Sequence, residues 1–400
     1  MKGKKMKKFA VLLTVALALC LCCTAFAQDE TLNFILRAGT YGDVIKAAIP
    51  DFEAENNVKI EFSEETFDDL HTKISLDAIN PEGTYDLVVV DGTWMAEFTD
   101  NEVLANLSEL GYAFDEDIIP ATTVAGIAPD GNTYLIPFFG NVTVFMYNQD
   151  LIDKYNDGVV PNNWADVLAV AQKMKADGVS GFLLRAGAGD NNVSDFLPIL
   201  KSFGGWVMNE DNTAVTLDTP EAKAALQMYV DLYQAGDILD KDNIVAAINN
   251  GTAAMGIGWP GWGADHYTTI PTMAEAGAEE FNSSIYGCWF VGMAANSTHK
   301  ETTLKFLEKM TDPEFQRSTV EIGGVPCRES SLLDEASLAI NPNLEVVYNS
   351  LSKGTYRPLV TFWSEFYTAF GPFIENAVMG TMTVDEALAG AQEACSALLP

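Results

Sequence analysis

Positive charge is what this chain has least of for its size. Lys and Arg number 23 against 56 Asp and Glu, a formal net charge of −33 over 400 residues. Phosphate-backbone binding needs clustered Lys and Arg, so nucleic acid is excluded as a partner. An anionic membrane surface would repel the folded part, and a neutral ligand or a cation fits better. Histidine is scarcer still, with only His71, His266 and His299, set far apart. There is no HExxH, no GxSxG and no metal-spaced cluster, so zinc hydrolysis and serine-nucleophile chemistry have no foothold. No cofactor and no metal are expected. A secreted carbohydrate hydrolase would need two carboxylates at a set separation, and a chain this acidic always supplies a pair, so abundance argues nothing. Beyond the first 23 residues cysteine falls to three, Cys288, Cys327 and Cys395. An odd number allows at most one internal disulfide, and the spacing does not suit zinc.

Long apolar runs are confined to one place. Lys2, Lys4, Lys5, Lys7 and Lys8 precede an apolar core over residues 9–23, and Ala25-Phe26-Ala27 follows the small-x-small cleavage rule. This predicts a signal peptide over 1–27, a mature chain from Gln28, and export to the periplasm or cell surface. A membrane helix is the alternative, but the run is short for spanning. Lipidation at Cys20, Cys22 or Cys23 is another, although Leu19, Leu21 and Cys22 stand where a small residue is wanted. Loss of the five lysines takes the charge from −33 to −38.

What is present is a regular βα alternation long enough for two domains. Residues 32–36 read as a strand, 41–56 as a helix with Val44, Ile45, Ala48, Ile49 and Phe52 on one face, and 58–62 as a strand. The Val run in 85–91 is typical of a parallel strand buried on both faces. It ends at Asp91-Gly92-Thr93-Trp94. Ligands of open parallel sheets sit beyond carboxyl strand ends, which makes Asp91 and Trp94 site candidates. Asp91 also suits a helix cap.

The stretch 134–152 (YLIPFFGNVTVFMYNQDLI) organises the rest. Two β-rich runs meet at Gly140-Asn141 with no proper turn, which reads as a strand leaving one α/β lobe and entering another. Asn141 then lies at the seam, a favoured place for small ligands. Downstream, 181–184 is a strand, and 185–190 has a GxG look but completes no dinucleotide fingerprint, so it reads as a loop. A helix over 196–203 is followed by Gly204-Gly205 and Trp206. Thr219-Pro220 opens another helix. Trp259 and Trp262 sit in a Pro/Gly loop without core periodicity, which favours stacking in a cleft. Residues 288–295 (CWFVGMAA) read as a second crossing between lobes. Thr383 with Glu386 is a capping box opening the last helix.

The stretches YDLVVVDGTWMAEFTDNEVL (85–104), DGNTYLIPFFGNVTVFMYNQDLI (130–152) with NNW after it, Gly204-Gly205 with DTPEAKAAL, AAMGIGWPGW (253–262) and TVDEALAGAQ (383–392) occur in this order across nearly the whole mature chain. In this the chain resembles the bacterial extracellular solute-binding proteins of ABC importers, in the sugar-binding group that includes maltodextrin-binding proteins. The resemblance implies an α/β, two-lobe periplasmic-binding-protein (Venus-flytrap) fold, each lobe a β-sheet flanked by helices. The first lobe is expected over 28–139 and 290–338, the second over 140–289 and 339–400. It also implies a monomer that closes on a carbohydrate (mono- or oligosaccharide, or polyol) and hands it to permease subunits. By matched position, Asp91 and Trp94 fall in a sugar-contacting segment. Asn141 stands where maltodextrin binders carry a carboxylate, an exchange that keeps a hydrogen-bonding group and removes a charge. Trp259 or Trp262 matches a stacking tryptophan, Tyr367 another stacking aromatic, and Arg357 an arginine near the ligand. Trp206 follows the matched double glycine. The same clamshell would serve a binding module that feeds a chemoreceptor or sensor kinase.

Overall fold

The computed structural model describes residues 30–273 and 283–400. The expected signal peptide, its cleavage site and the leader cysteines lie outside the described residues. Among the described residues ten strands form in chain order: β1 (Glu30–Arg37), β2 (Val58–Glu65), β3 (Leu87–Asp91), β4 (Leu135–Phe139), β5 (Val144–Tyr147), β6 (Ser180–Arg185), β7 (Asp237–Leu239), β8 (Ala253–Gly258), β9 (Tyr267–Thr268) and β10 (Trp289–Met293). They make two five-stranded sheets, ordered β2-β1-β3-β10-β4 and β7-β6-β8-β5-β9.

Each sheet is mixed. In the first, β1 runs parallel to β2 and β3, while β10 lies antiparallel between β3 and β4. In the second, β6 is parallel to β7 and β8, and β5 is antiparallel to β8 and β9. Every residue of β3 is buried, as a Val run covered on both faces requires. The Thr40–Asn56 helix buries the expected stripe and continues through Pro50. Thr219 accepts from Ala222 N–H, and the Thr383/Glu386 capping box closes as its spacing requires.

Among the described residues the chain crosses between lobes three times. β4 belongs to the first sheet and β5 to the second, so the expected crossing lies at 140–143. Gly140 N–H donates to Val325 O at 2.8 Å. A Cβ at Gly140 would lie 2.9 Å from Pro326 O, so the chain passes too close for a side chain. The return crossing is at 284–288. The 288–295 stretch read as crossing is, from Trp289 on, a strand inside the first sheet. The third crossing is at 354–357 and not at 338–339. Leu344, Val347 and Leu351, buried on one helical face, hold the Leu344–Leu351 helix, which packs on the Glu329–Leu332 and Glu335–Ile340 helices of the first lobe. The three crossings are stitched together: Thr143 N–H to Ile285 O, Gly287 N–H to Asn141 O, Tyr286 N–H to Thr355 O and Thr355 N–H to Ser284 O, all at 2.9–3.0 Å.

One helix exceeds its expected bounds. The segment from Asp190 is not loop but the first turn of the Asp190–Ser202 helix, which tolerates Pro198 inside it. Its start is fixed by the Asn192 side chain, which accepts from Gly189 N–H at 3.1 Å. Cys288, Cys327 and Cys395 are all free and buried.

Candidate functional site

Between the lobes lies a cleft of about 840 Å³. Its floor is the hinge and its walls are strand ends. Asp91 ends β3, Arg37 ends β1 and Arg185 ends β6, all at carboxyl ends of parallel strands. Trp289 opens the antiparallel β10 and pairs with Asp91 in register, so it reaches the same edge.

Six of the eight sequence candidates meet here: Asp91, Asn141, Trp259, Trp262, Arg357 and Tyr367. Two do not. Trp94 is 1% exposed and packs in the first core, with ring centroids 4.9 Å from Phe67, 5.0 Å from His71 and 5.8 Å from Phe98. The 3₁₀ turn after Asp91 swings its indole beneath the cleft wall. Trp206 packs at the edge of the second core under Lys201, whose Nζ lies 4.9 Å from its ring. Sequence reasoning missed Arg37, Tyr41, Phe67, Arg185, Asp190 and Trp289, which also line the cleft. The strand-end rule that marked Asp91 would have found Arg37 and Arg185. Nothing local marks Trp289, because only the register of β10 brings it there.

The centre of the site is Arg357. Its Nη2 donates to Asp91 Oδ1 at 2.8 Å and Oδ2 at 3.2 Å, and its Nη1 to Asp190 Oδ1 at 3.2 Å. One hinge guanidinium therefore holds a first-lobe and a second-lobe carboxylate together. Burial alone would lower the Arg357 pKa, but the two carboxylates raise it above the ordinary value. Asp91 keeps its capping role as well, accepting from Thr93 N–H at 3.0 Å and Thr93 Oγ1 at 2.7 Å. Asn141 donates to Tyr41 Oη at 3.4 Å, and its own Oδ1 is buried with no partner.

Aromatic faces complete the walls. Tyr41 lies 4.9 Å from Trp289, and Arg37 covers the Trp289 ring at 6.0 Å. Arg185 lies 5.3 Å from the Trp262 ring centroid. Trp259 is 6% exposed and presses on Gly287, where an added Cβ would come within 2.3 Å of its ring. Packing thus claims much of Trp259, while Trp262 is the more open of the two. Burial pushes the hydroxyls of Tyr41 and Tyr367 up to about 12, so both stay protonated donors. Among the described residues no group of three or more His, Cys, Asp or Glu could hold a metal ion.

Residues 38–317 match the model of the bacterial extracellular solute-binding protein family. The chain belongs to this family. Among curated relatives, a probable amino-acid ABC transporter periplasmic-binding protein, y4oP of Sinorhizobium fredii, is 21% identical over 358 residues, covering 82% of each chain. Among solved structures, maltose-bound T. maritima MalE3 superposes with a TM-score of 0.80 at 22% identity, over 92% of this chain and 100% of that one. A solute-binding protein of Agrobacterium radiobacter in complex with ribitol gives 0.81 at 20% identity, over 93% and 99%. The two-lobe fold expected from the sequence is thereby established. No helix among the described residues is long and apolar enough to cross a membrane.

Proposed function

We propose that this protein is the exported binding component of an ABC importer for an uncharged carbohydrate or polyol. The reading rests above all on the charge balance of the cleft. In a chain of net charge −33, the lining includes four cations (Arg37, Arg185, Lys241 and Arg357) and four carboxylates (Asp68, Asp91, Asp190 and Asp240). Such a site favours no net charge in its ligand. Its chemistry suits a sugar: aromatic rings cover an apolar C–H face, while Asp, Asn and Arg serve a rim of hydroxyls. A wrong epimer would leave buried partners unpaired at roughly 1–3 kcal/mol each. The cleft volume lies within the range of ordinary small-molecule sites.

A ligand touching both walls stabilises the closed arrangement, which the permease subunits then read. The protein acts as a monomer and leaves its ligand chemically unchanged. The leader over residues 1–27 directs export and is removed before Gln28.

Thermal unfolding of the mature protein, screened against maltose, ribitol, D-mannitol, other mono- and oligosaccharides and the common amino acids, tests this. A ligand present at about 100 times its dissociation constant adds roughly 2.7 kcal/mol of stability. A sugar or polyol that raises Tm and is recovered intact supports the reading. An amino acid as sole responder overturns the carbohydrate assignment, and consumption of a responding sugar overturns the binding-only role.

A further inference from the structure

Behind the second-lobe wall sits a buried carboxylate that does not itself line the cleft. Asp195, on the Asp190–Ser202 helix, is 3% exposed. Its Oδ1 accepts from Arg185 Nη2 at 2.9 Å. The same Nη2 donates to Asn191 O at 2.7 Å, at the start of that helix, and the guanidinium lies over Trp262 on the cleft side. Among the described residues Asp195 is the one carboxylate paired with this guanidinium, and Arg185 Nε is buried without a partner.

On the far side of Arg185 is a cavity of about 90 Å³, lined among others by Gly187, Asn192, Tyr229 and Glu375. The Tyr229 hydroxyl is buried there and unpartnered, and Glu375 is exposed at the rim. Arg185 thus borders both the cleft, where it lies over Trp262 and pairs with Asp195, and the cavity, whose lining includes Glu375 and Tyr229.

We propose that Asp195 is a positioning residue that holds Arg185 against Trp262, and that its protonation lets Arg185 retract toward Glu375, loosens the cleft wall and weakens ligand binding. The part concerning ligand rests on the proposed function above; the movement of the wall does not. The charged neighbours allow it. Arg185 faces Asp195 from β6, Tyr229 from the Pro220–Gln234 helix and Asp190 from its own helix. The Trp363–Val378 helix packed alongside contributes Tyr367, which faces Asp190, and Glu375 at the cavity rim. Burial pushes the Asp195 carboxyl up to about 6, the attraction of Arg185 offsetting only part of this.

The test begins with the ligand-free protein. The indole N–H resonance of Trp262, assigned with Trp262→Phe, is followed by NMR between about pH 7.5 and about pH 5. It should titrate with a midpoint at about 6 in the wild type and stay flat in Asp195→Asn, while the core indoles of Trp94 and Trp363 do not move. Glu375→Gln, at an exposed position, should shrink the amplitude, and it decides the matter if Asp195→Asn does not fold. A flat wild-type titration, or full amplitude in Glu375→Gln, overturns the inference. Affinity is then measured calorimetrically with whichever of maltose, ribitol and D-mannitol binds at about pH 7.5. It should weaken about fivefold or more by about pH 5 in the wild type and much less in Asp195→Asn. Failure of these three ligands and of every other sugar in the thermal screen, together with a normal indole titration, overturns the carbohydrate reading and the release half of this inference, leaving the wall movement standing. Binding that is flat with pH despite an indole titration overturns the release half alone.

Discussion

Replacing Asp91 by Asn removes one charge and almost no volume, so it isolates the pairing with Arg357. In the protein, Asp91 Oδ1 accepts from Thr93 N–H, Thr93 Oγ1 and Arg357 Nη2. An Asn with its carbonyl in place of Oδ1 keeps all three contacts. Its NH₂ would then replace Oδ2, which now lies 3.2 Å from Arg357 Nη2, setting donor against donor. Both side chains are nearly enclosed, with relative exposures of 5% for Asp91 and 3% for Arg357. Removing one partner of such a pair costs roughly 3–5 kcal/mol. Asp190 still faces Nη1 at 3.2 Å, so the lower end, about 3 kcal/mol, is expected. For a lobe of this size each kcal/mol is worth about 2–4 °C, which gives a fall in Tm of about 6–12 °C. Adding Arg357→Met should recover part of this loss, because the uncompensated cation is gone. Thermal unfolding of the two single variants and the double variant measures the coupling. A fall below about 2 °C in Asp91→Asn, or strictly additive losses, would refute this account of the pair.

The remaining predictions concern other parts of the same frame. Trp94→Ala should lower stability by about 3–5 kcal/mol while the folded fraction retains ligand affinity, and Trp262→Ala should do the reverse; thermal unfolding with calorimetric titration separates them. Gly287→Ala forces a methyl into the Trp259 ring, so it should weaken binding and alter the Trp259 fluorescence. The folded pKa of Asp195, about 6, lies above its ordinary 3.8, so its contribution to stability is full below about 3.8 and is lost as pH rises through about 6. The wild type should accordingly gain stability relative to Asp195→Asn on going from neutral pH to about pH 5, by about 1.3 kcal/mol, and an equal pH response in the two would refute this. Intact mass of the exported protein should correspond to a chain starting at Gln28, and an acylated cysteine would instead establish a lipoprotein.

Much of the architecture was legible in order along the chain. The Val run of β3, the apolar stripe of the Thr40–Asn56 helix and the Thr383/Glu386 capping box are local signals, carried by residues close together in the chain. The Gly140 crossing was legible for the same reason, because a glycine between two apolar runs with no turn residues leaves few alternatives. The start of the Asp190–Ser202 helix was not, because its GxG approach reads as loop and its cap is built by a side chain inside the helix, Asn192. The third crossing was misplaced because its position depends on which core receives Leu344, Val347 and Leu351, and an apolar face does not name its partner.

By itself, the sequence determined the family, the two-lobe clamshell, the acidic surface and the segments whose ends border the cleft. Only the tertiary structure decided which side chains enter it. Trp94 and Trp289 lie 6.1 Å apart, yet one is core and the other lines the cleft. The difference arises from a 3₁₀ turn after β3 and from the antiparallel register of β10, neither of which is written in residue type. Arg357 finds carboxylates 266 and 167 positions away. Pairings at that separation follow from the docking of whole lobes through three crossings, and local propensity carries no information about them.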